Sequence, residues 1–357
     1  MIRIILIIWV VSLVYFCTTP ERPFNEILLS ESENAYNPIP NRDGRLIAYV
    51  RTGWDREGGS GGTGRSNLRS EVMVMGSDGT LITQEPIGDA FLSGWTADDL
   101  NLVCYRDGQY FILSVDGRIK TKGRIPNTED YPNRTERVSY LPGLESLVWS
   151  QNEDYGAFIQ TPLAPIAKSS HGLGEMIIPS PDGRYIAFTG AQKSKLHVYD
   201  LQNDSWSNLG SVTIHPHSEW DYIKPSWNPW FSDSSRLAFI SGSALVIVTP
   251  DGQNRQIVTD VGNKAGLAVP SPNGQLVAYA TFEDRPRKMR EDLKFWGNST
   301  LWVISTTTGA KPYSVTGKNQ DTTYCLRWLS DNQLVFDRIA DEPFYRKSRI
   351  WKAEVPR

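Results

Sequence analysis

The segment from His215 to Tyr222 contains the side chains best suited to chemistry in this chain. His215 and His217 supply two imidazoles, and Glu219 and Asp221 supply two carboxylates. Nitrogen and oxygen ligands of these kinds bind divalent metals. Residues two apart in an extended segment point to the same side, so both imidazoles are able to reach one ion. The segment is therefore a candidate metal site.

Aromatic side chains surround these groups and suit ligand binding, because a sugar ring stacks on an aromatic face. The commoner arrangement for such a segment, however, is a loop held by tryptophan packing and hydrogen-bonded histidines. We therefore expect no metal or cofactor, and keep a divalent metal on His215 and His217 as the alternative. The candidate ligand-binding residues are His215, His217, Glu219, Trp220, Asp221, Tyr222 and Trp227.

A glycine-rich stretch matches two catalytic patterns. Gly59–Ser66 has the spacing of a phosphate-binding loop, with Arg65 where the lysine belongs, and Gly58–Gly62 has that of a hydrolase nucleophile at Ser60. Both patterns need a helix directly afterwards, since its N-terminus forms the anion or oxyanion site. The sequence Val-Met-Val-Met at 72–75 predicts a strand instead. We interpret the stretch as a hairpin loop and assign no catalytic residue.

The elements that must position these groups are clearest between Pro179 and Gly210. Pro181, Asp182 and Gly183 form a tight-turn sequence, because proline presets φ, aspartate bonds to nearby backbone and glycine accepts a positive φ. The β-branched and aromatic residues on either side predict two short strands. One hairpin cannot bury its own apolar face, so the chain must supply partners for it.

Copies of this strand–turn–strand unit recur at roughly 40–55 residues, a period typical of a β-propeller. The copy at Trp149 is the weakest, because the interval from Asp154 to Asp182 is short for four strands. We therefore expect an all-β propeller with seven blades, six being the alternative. The seven units are Asn41–Tyr49, Trp95–Tyr105, Trp149–Ile159, Pro179–Phe188, Trp230–Ile240, Pro270–Tyr279 and Trp328–Phe336.

The unit Ser180-Pro-Asp-Gly-Arg-x-Ile-Ala-Phe188, with Leu196-x-Val-x-Asp200 downstream, resembles the repeat of TolB-like propellers. The resemblance extends from about Phe24 to the end of the chain and implies a binding or scaffolding module. One propeller scaffold hosts binding modules, lyases and peptidase lids alike. Oligogalacturonate lyases are metal-dependent propellers with a histidine cluster and a glutamine, and only His171 and His197 remain here to extend such a cluster.

The N-terminal part of the chain predicts a ring closure and a targeting segment. Phe24–Leu29 reads as a lone strand, and the last unit is one strand short, so we expect the lone strand to pair near Arg349–Val355. Before it, Arg3 and the apolar run Ile4–Phe16 are typical of a signal peptide. Residues 1–21 are thus predicted to be a signal peptide or membrane anchor, and 22–357 one propeller domain.

Cysteine positions bear on anchoring and packing. Cys17 lies where a bacterial lipoprotein carries its lipidated cysteine, although Phe16 stands where a small residue is usual. Cys17 is therefore a candidate lipidation site. Cys104 and Cys325 fall in units that are not neighbours around the ring, so we expect two buried thiols and no disulfide.

Composition limits the function. The chain is 39% hydrophobic and 22% charged with a net charge of −3, which indicates a packed core and no electrostatic footprint for nucleic acid. Mixed charges in Asp284–Lys294 predict a solvated loop or helical turn. We expect an exported monomer of the bacterial periplasm or envelope, possessing no catalysis of its own, that binds a protein, peptide or glycan at a channel mouth. The alternative is a metal-dependent carbohydrate-active enzyme.

Overall fold

The structure is a computed structural model, and its described residues are 25–30, 34–54, 68–83, 90–96, 98–106, 108–125, 135–141, 146–151, 157–161, 164–168, 173–190, 195–214, 227–286, 294–317, 321–341 and 346–356. Within these ranges the regular structure consists of β-strands. No helix in them is long and apolar enough to cross a membrane.

The strands are β1 (Glu26–Leu28), β2 (Ala35–Pro40), β3 (Leu46–Trp54), β4 (Leu68–Gly76), β5 (Phe91–Trp95), β6 (Asn101–Arg106), β7 (Gln109–Ser114), β8 (Ile119–Arg124), β9 (Thr135–Leu141), β10 (Ser146–Gln151), β11 (Ala157–Thr161), β12 (Ala164–Lys168), β13 (Leu173–Pro179), β14 (Tyr185–Gly190), β15 (Lys195–Asp200), β16 (Ser205–Ser211), β17 (Leu237–Ser241), β18 (Ala244–Val248), β19 (Arg255–Asp260), β20 (Ala265–Pro270), β21 (Leu276–Pro286), β22 (Lys294–Ser305), β23 (Tyr313–Ser314), β24 (Leu326–Ser330), β25 (Gln333–Asp341) and β26 (Arg346–Glu354).

The described strands form seven antiparallel sheets, numbered here in chain order: sheet 1 (β2–β4), sheet 2 (β5–β8), sheet 3 (β9–β12), sheet 4 (β13–β16), sheet 5 (β17–β19), sheet 6 (β20–β23) and sheet 7 (β24–β26 with β1). Each sheet contacts the next along the chain, and β2 of sheet 1 contacts β24 and β25 of sheet 7. The sheets therefore form a closed ring, and the all-β propeller expected from the sequence is confirmed.

The two ends of the ring differ in the connections they carry. Since neighbouring strands are antiparallel, the turns between first and second strands, and between third and fourth strands, lie at one end, which we call the turn end. The hairpins between second and third strands, and the connections from sheet to sheet, lie at the other, which we call the hairpin end. First strands lie innermost, because those of neighbouring sheets contact one another, as β9 does with β5 and β13, and β24 with β20 and β2. In sheet 5 the innermost position is held by Trp230, which bridges to Leu237 of β17, so β17–β19 correspond to the second, third and fourth strands of the other sheets.

The repeated turn is explained by its hydrogen bonds. The Ser180 hydroxyl donates to Asp182 Oδ1 at 2.6 Å and accepts from the Tyr185 amide at 2.9 Å. The Gly183 amide donates to the Ser180 carbonyl at 2.9 Å, with Gly183 at φ 73°. The predicted tight turn at Asp182 and Gly183 is therefore confirmed. Ser271 and Asn273 repeat the same side-chain bond at 2.8 Å in sheet 6.

One of the seven predicted units, the one that begins at Trp149, is wrong in its position within the sheet. In six units the turn joins the first and second strands, but Trp149 lies in β10, the second strand of sheet 3, which pairs with β9 on one side and β11 on the other. The predicted turn after Trp149 is thus a connection between second and third strands. Six copies of the unit are equivalent, and sheet 3 is built on a different pattern.

Tryptophans link sheets at a recurrent position. The indole nitrogen of Trp95 donates to the carbonyl of Ile39 at 2.9 Å, Trp230 to Ile178 at 2.9 Å, and Trp328 to Val269 at 2.8 Å. Each acceptor lies in the innermost strand of the preceding sheet. The same three pairs of sheets, 1–2, 4–5 and 6–7, share a second bond at the turn end, from Arg42 to Asp99, Asp182 to Ser234 and Asn273 to Asp331.

Sheet 7 is completed by β1, as predicted. Glu26, Ile27 and Leu28 pair with Ala353, Lys352 and Trp351 of β26. The Glu26 carboxylate forms an ion pair of 2.6 Å with Arg338, whose side chain is only 6% exposed. The Arg338 guanidinium also lies over the rings of Phe336 and Trp351. The N-terminal strand is therefore held by its backbone and by a largely buried ion pair.

Two further expectations concern cysteines and an insertion. Cys104 and Cys325 are buried thiols, as expected. The expected loop or helical turn at Asp284–Lys294 is wrong at its ends, because β21 continues to Pro286 and β22 begins at Lys294, with these two residues paired. Residues 287–293 lie outside the described residues, as do the leader with Cys17 and the glycine-rich stretch with Ser60. The strand expected at 72–75 is part of β4.

Candidate functional site

The hairpin end receives the long connections of the chain. Residues 55–67 begin after Trp54 and end before Leu68, which pair with each other at this end. Residues 126–134 leave from Ile125, whose amide donates to the carbonyl of Gly108 in the same end of sheet 2. Binding residues concentrate on loops held by a rigid scaffold, so this end is the candidate functional surface.

Residues 215–226 are anchored at both ends to the innermost strand of sheet 6. The Leu267 amide donates to the carbonyl of Ile214 at 2.9 Å. Gly266 permits this approach, because a Cβ atom there would lie 2.4 Å from the Ile214 carbonyl oxygen. At the other end, the indole nitrogen of Trp227 donates to the carbonyl of Ala268 at 2.7 Å. The segment therefore starts and finishes beside the centre of the ring.

The structure describes one of the predicted ligand-binding residues. His215, His217, Glu219, Trp220, Asp221 and Tyr222 lie outside the described residues. Trp227 is 3% exposed and packs in the largest hydrophobic core cluster. A ring so enclosed fixes the end of the segment and does not present a face to solvent. His197 lies in β15, paired with Phe188, and His171 is outside the described ranges.

A buried carboxylate was missed by the sequence analysis. Asp337 of β25 is fully buried and accepts from the backbone amides of Tyr324 and Cys325, each at 2.8 Å, and of Asn37 at 3.2 Å. Burial raises its pKa to about 6, although the three amides and Arg327 act in the opposite direction. Because Asn37 belongs to sheet 1, this carboxylate joins the last sheet to the first.

Asn37 is unusual in its own right. It adopts a positive φ of 54°, where β2 departs from regular pairing between Tyr36 and Ile39. The adjacent Tyr36 hydroxyl has a raised pKa, mainly because of burial. The signal available in the sequence was an acidic residue, Asp337, directly after the apolar run Leu334–Phe336 of a predicted core strand. Such a residue in a core strand requires dedicated donors.

The remaining described charges give no sign of a metal centre. Within the described ranges, no group of three or more His, Cys, Asp or Glu side chains is placed to hold a metal ion. At the hairpin end, Arg51 donates to a single oxygen of Glu71 from Nε at 2.8 Å and from a terminal nitrogen at 2.6 Å. The two side chains therefore pair with each other across β3 and β4. The histidine-based metal site is untested, since its residues are outside these ranges.

Comparisons with known proteins bear on the fold. No family model and no curated protein matches the chain. The β-propeller domain of Cps50 (Swd1) from Myceliophteria thermophila aligns over 93% of this chain and 100% of its own, at 12% identity and a TM-score of 0.57. A putative TolB from Agrobacterium tumefaciens aligns over 76% and 94%, at 14% identity and a TM-score of 0.42. The hydrazine synthase of Kuenenia stuttgartiensis aligns over 69% and 74%, at 11% identity and a TM-score of 0.43. The first likeness supports a propeller fold and nothing narrower.

Proposed function

We propose that the chain is an exported, non-catalytic propeller of the TolB-like type that binds a protein, peptide or glycan at the hairpin end of its ring. The single observation that carries this proposal is the anchoring of residues 215–226. Ile214 and Trp227 both bond to the innermost strand β20, so the segment richest in binding groups arises beside the central channel. A concave site with a few convergent polar groups is what such a ligand requires.

The number of blades, the export signal and the oligomeric state are part of the same proposal. We assign one blade to each of the seven sheets, sheet 3 being a blade without the common repeat; the seven separate sheets support this count. The leader at residues 1–21, with Cys17 as the candidate lipidation site, directs export to the periplasm or envelope. The propeller from residue 22 onwards acts as a monomer.

Ligand capture from the envelope fraction of the source organism tests the binding role, with a glycan array in parallel. We expect the double variant His217→Ala/Trp220→Ala to lose the captured ligand, because it removes an imidazole and a stacking ring from the segment. Thr308→Ala is the matched control, since Thr308 is exposed at the turn end of sheet 6. Equal capture by both variants would overturn the placement of the site.

Metal analysis distinguishes the enzyme alternative. The non-catalytic proposal requires that purified protein carry no stoichiometric divalent metal. A stoichiometric metal that disappears in His217→Ala would replace the proposal with a metal-dependent carbohydrate-active enzyme, with His215 and His217 as ligands. The same preparation assayed against oligosaccharides would then show metal-dependent cleavage.

A further inference from the structure

Exposed apolar side chains are concentrated on one part of the ring. Among the described residues, eight large apolar side chains are at least 36% exposed. Seven of them belong to the consecutive sheets 7, 1 and 2; Phe91 lies at the hairpin end of sheet 2, and the other six lie in the half nearer the turn end. They are Ile27 and Leu28 of β1, Leu81 and Ile82 beside β4, and Leu100 and Ile119 at the starts of β6 and β8. We call these six residues the turn-end wall.

The three sheets that carry the turn-end wall are joined at this end. Gly79 of sheet 1 packs on sheet 7 so closely that a Cβ atom would lie 2.9 Å from the Leu29 carbonyl oxygen. Lys352 Nζ of sheet 7 donates to the Ser77 carbonyl at 2.9 Å. The Arg42 amide joins sheet 1 to Asp99 of sheet 2 at 3.0 Å. These contacts hold the three sheets side by side at the turn end, so the turn-end wall spans adjacent sheets.

The N-terminal leader reaches the domain at the same place. β1 is the outermost strand of sheet 7, and its start lies at the turn end, where the side-chain nitrogen Nδ2 of Asn25 donates to the Glu354 carboxylate at 2.8 Å. The apolar run Ile4–Phe16 is separated from Asn25 by residues 17–24 alone. Eight extended residues span at most about 28 Å. A bilayer that holds the leader thus lies close to the wall.

Two exposed ion pairs lie at this end. Arg45 lies 3.5 Å from Asp43, and Arg118 lies 3.3 Å from Asp116. Such exposed pairs contribute little on their own, and the two charges of each pair cancel. Asp78, Asp98 and Asp99 also lie in the turns beside the wall, so any attraction of the wall to lipid must come from its apolar side chains, whose clustering marks a candidate interaction site.

We propose that the turn-end wall rests on the lipid bilayer that holds the N-terminal leader, so that the hairpin end and its ligand segment face away from the membrane. This inference rests on the export and anchoring proposed above. It accounts for the position of the long connections, which the bilayer leaves accessible. It also commits the wall to lipid, in preference to a second copy of the chain.

Fluorescence quenching by lipid tests the orientation. The full chain carrying Cys17→Ser receives a fluorophore at either Arg118→Cys or Gln109→Cys, at opposite ends of sheet 2, while Cys104 and Cys325 are buried. The protein is mixed with phosphatidylcholine vesicles that contain nitroxide-labelled lipid. We expect quenching of the Arg118→Cys label and little of the Gln109→Cys label, with no dependence on salt. Equal or reversed quenching on bound protein overturns the inference and leaves the anchoring intact.

A matched pair of isoleucines tests the contact itself. Ile119 and Ile257 are 58% and 59% exposed, each on the outermost strand of its sheet, but Ile257 lies in sheet 5. Leu100→Ser/Ile119→Ser should lower the vesicle partition coefficient about 10-fold, since two apolar side chains lose their burial in lipid, and Ile257→Ser should leave it unchanged. Absence of any vesicle binding by the full chain with Cys17 unchanged overturns the anchoring as well. A dimer in solution that Leu100→Ser/Ile119→Ser dissociates would assign the wall to a second copy instead.

Discussion

At the scale of single residues, Asp337 is unusual because a charged side chain is fully buried in a core strand. It is a carboxylate enclosed between two sheets, with three amide donors and no solvent. Its position suits ring closure and not catalysis, because no substrate atom is able to reach it. Its raised pKa nevertheless gives it a measurable signature.

Replacing this carboxylate should remove a pH dependence of stability. The folded-state pKa of about 6 lies above the ordinary value of 3.8, so the folded state binds the proton more tightly than the unfolded chain. The resulting stability is fully present below about pH 4 and is lost as pH rises through about 6, a change of about 3 kcal/mol. Urea unfolding of wild type and Asp337→Asn between pH 4 and pH 7 should show this slope in wild type alone.

A control separates this effect from general titration. Asp331→Asn removes an exposed carboxylate in the turn before β25 and retains an oxygen for the Asn273 amide. The slope between pH 4 and pH 6 should survive in this variant. Parallel curves for wild type and Asp337→Asn would show that Asp337 is not the titrating group.

Gly44 is a second residue with a defined cost. It adopts a φ of 69°, and a Cβ atom there would lie 1.9 Å from the Leu329 carbonyl oxygen of sheet 7. Gly44→Ala should lower the free energy of unfolding by about 2–4 kcal/mol, because backbone strain and a clash with main chain combine. Gly242→Ala, at φ 62° with nothing within 4 Å, should lose only about 1 kcal/mol, the cost of placing an L-residue in the left-handed region. Equal losses by thermal or urea unfolding would refute the close approach.

At the scale of elements, the tryptophan bonds predict graded effects. Trp328→Phe leaves the buried Val269 carbonyl without its donor, and should cost about 1–3 kcal/mol in urea unfolding. Trp302→Phe is the comparison, since its indole nitrogen donates at 2.8 Å to Thr281, a half-buried hydroxyl that water is able to satisfy. Its cost should be smaller. A larger loss for Trp302→Phe would contradict the assignment of the indole bonds to sheet linkage.

Elements that rest on local chemistry were predictable from the sequence. Asp182 and Gly183 specify their turn through bonds within five residues, and β1 was found because the last unit lacked a strand. Sheet 3 was predicted wrongly because Trp149 of β10, followed by polar residues, has the same sequence pattern as the start of the repeated unit. Strand patterns alone do not distinguish a first–second hairpin from a second–third hairpin.

At the scale of the whole molecule, contacts between distant residues were beyond sequence reasoning. Asp337 and Asn37 are 300 residues apart, and nothing local to either predicts their bond. Trp227 illustrates the same point for the candidate site, because an aromatic residue beside polar groups reads equally as ligand contact or core. Its burial became evident only from the position of β20. That the segment from His215 to Tyr222 determines ligand specificity stays a prediction.

Removal of β1 tests the integrity of the ring. A chain starting after Ser30 loses the pairing with β26 and leaves Arg338 buried without Glu26. We expect this protein to aggregate or to unfold at lower denaturant, because an edge and a charge are both left unsatisfied. Glu26→Gln, which keeps the strand, should be monomeric and lose less stability. A monomeric truncated chain of full stability, measured by sedimentation and urea unfolding, would exclude β1 as the closing strand.

The pairing of β1 with β26 also sets the timing of folding. Glu26 leaves the ribosome long before its partner Ala353 exists, whereas the other sheets are made of strands synthesised consecutively. Closing a chain segment of this length costs about 5 kcal/mol in entropy, and the pairing of β1 with β26 cannot form until β26 has been synthesised. A chain whose synthesis stops before β26 cannot close the ring, because β1 has no strand to pair with. An unpaired β1 therefore marks an incomplete molecule.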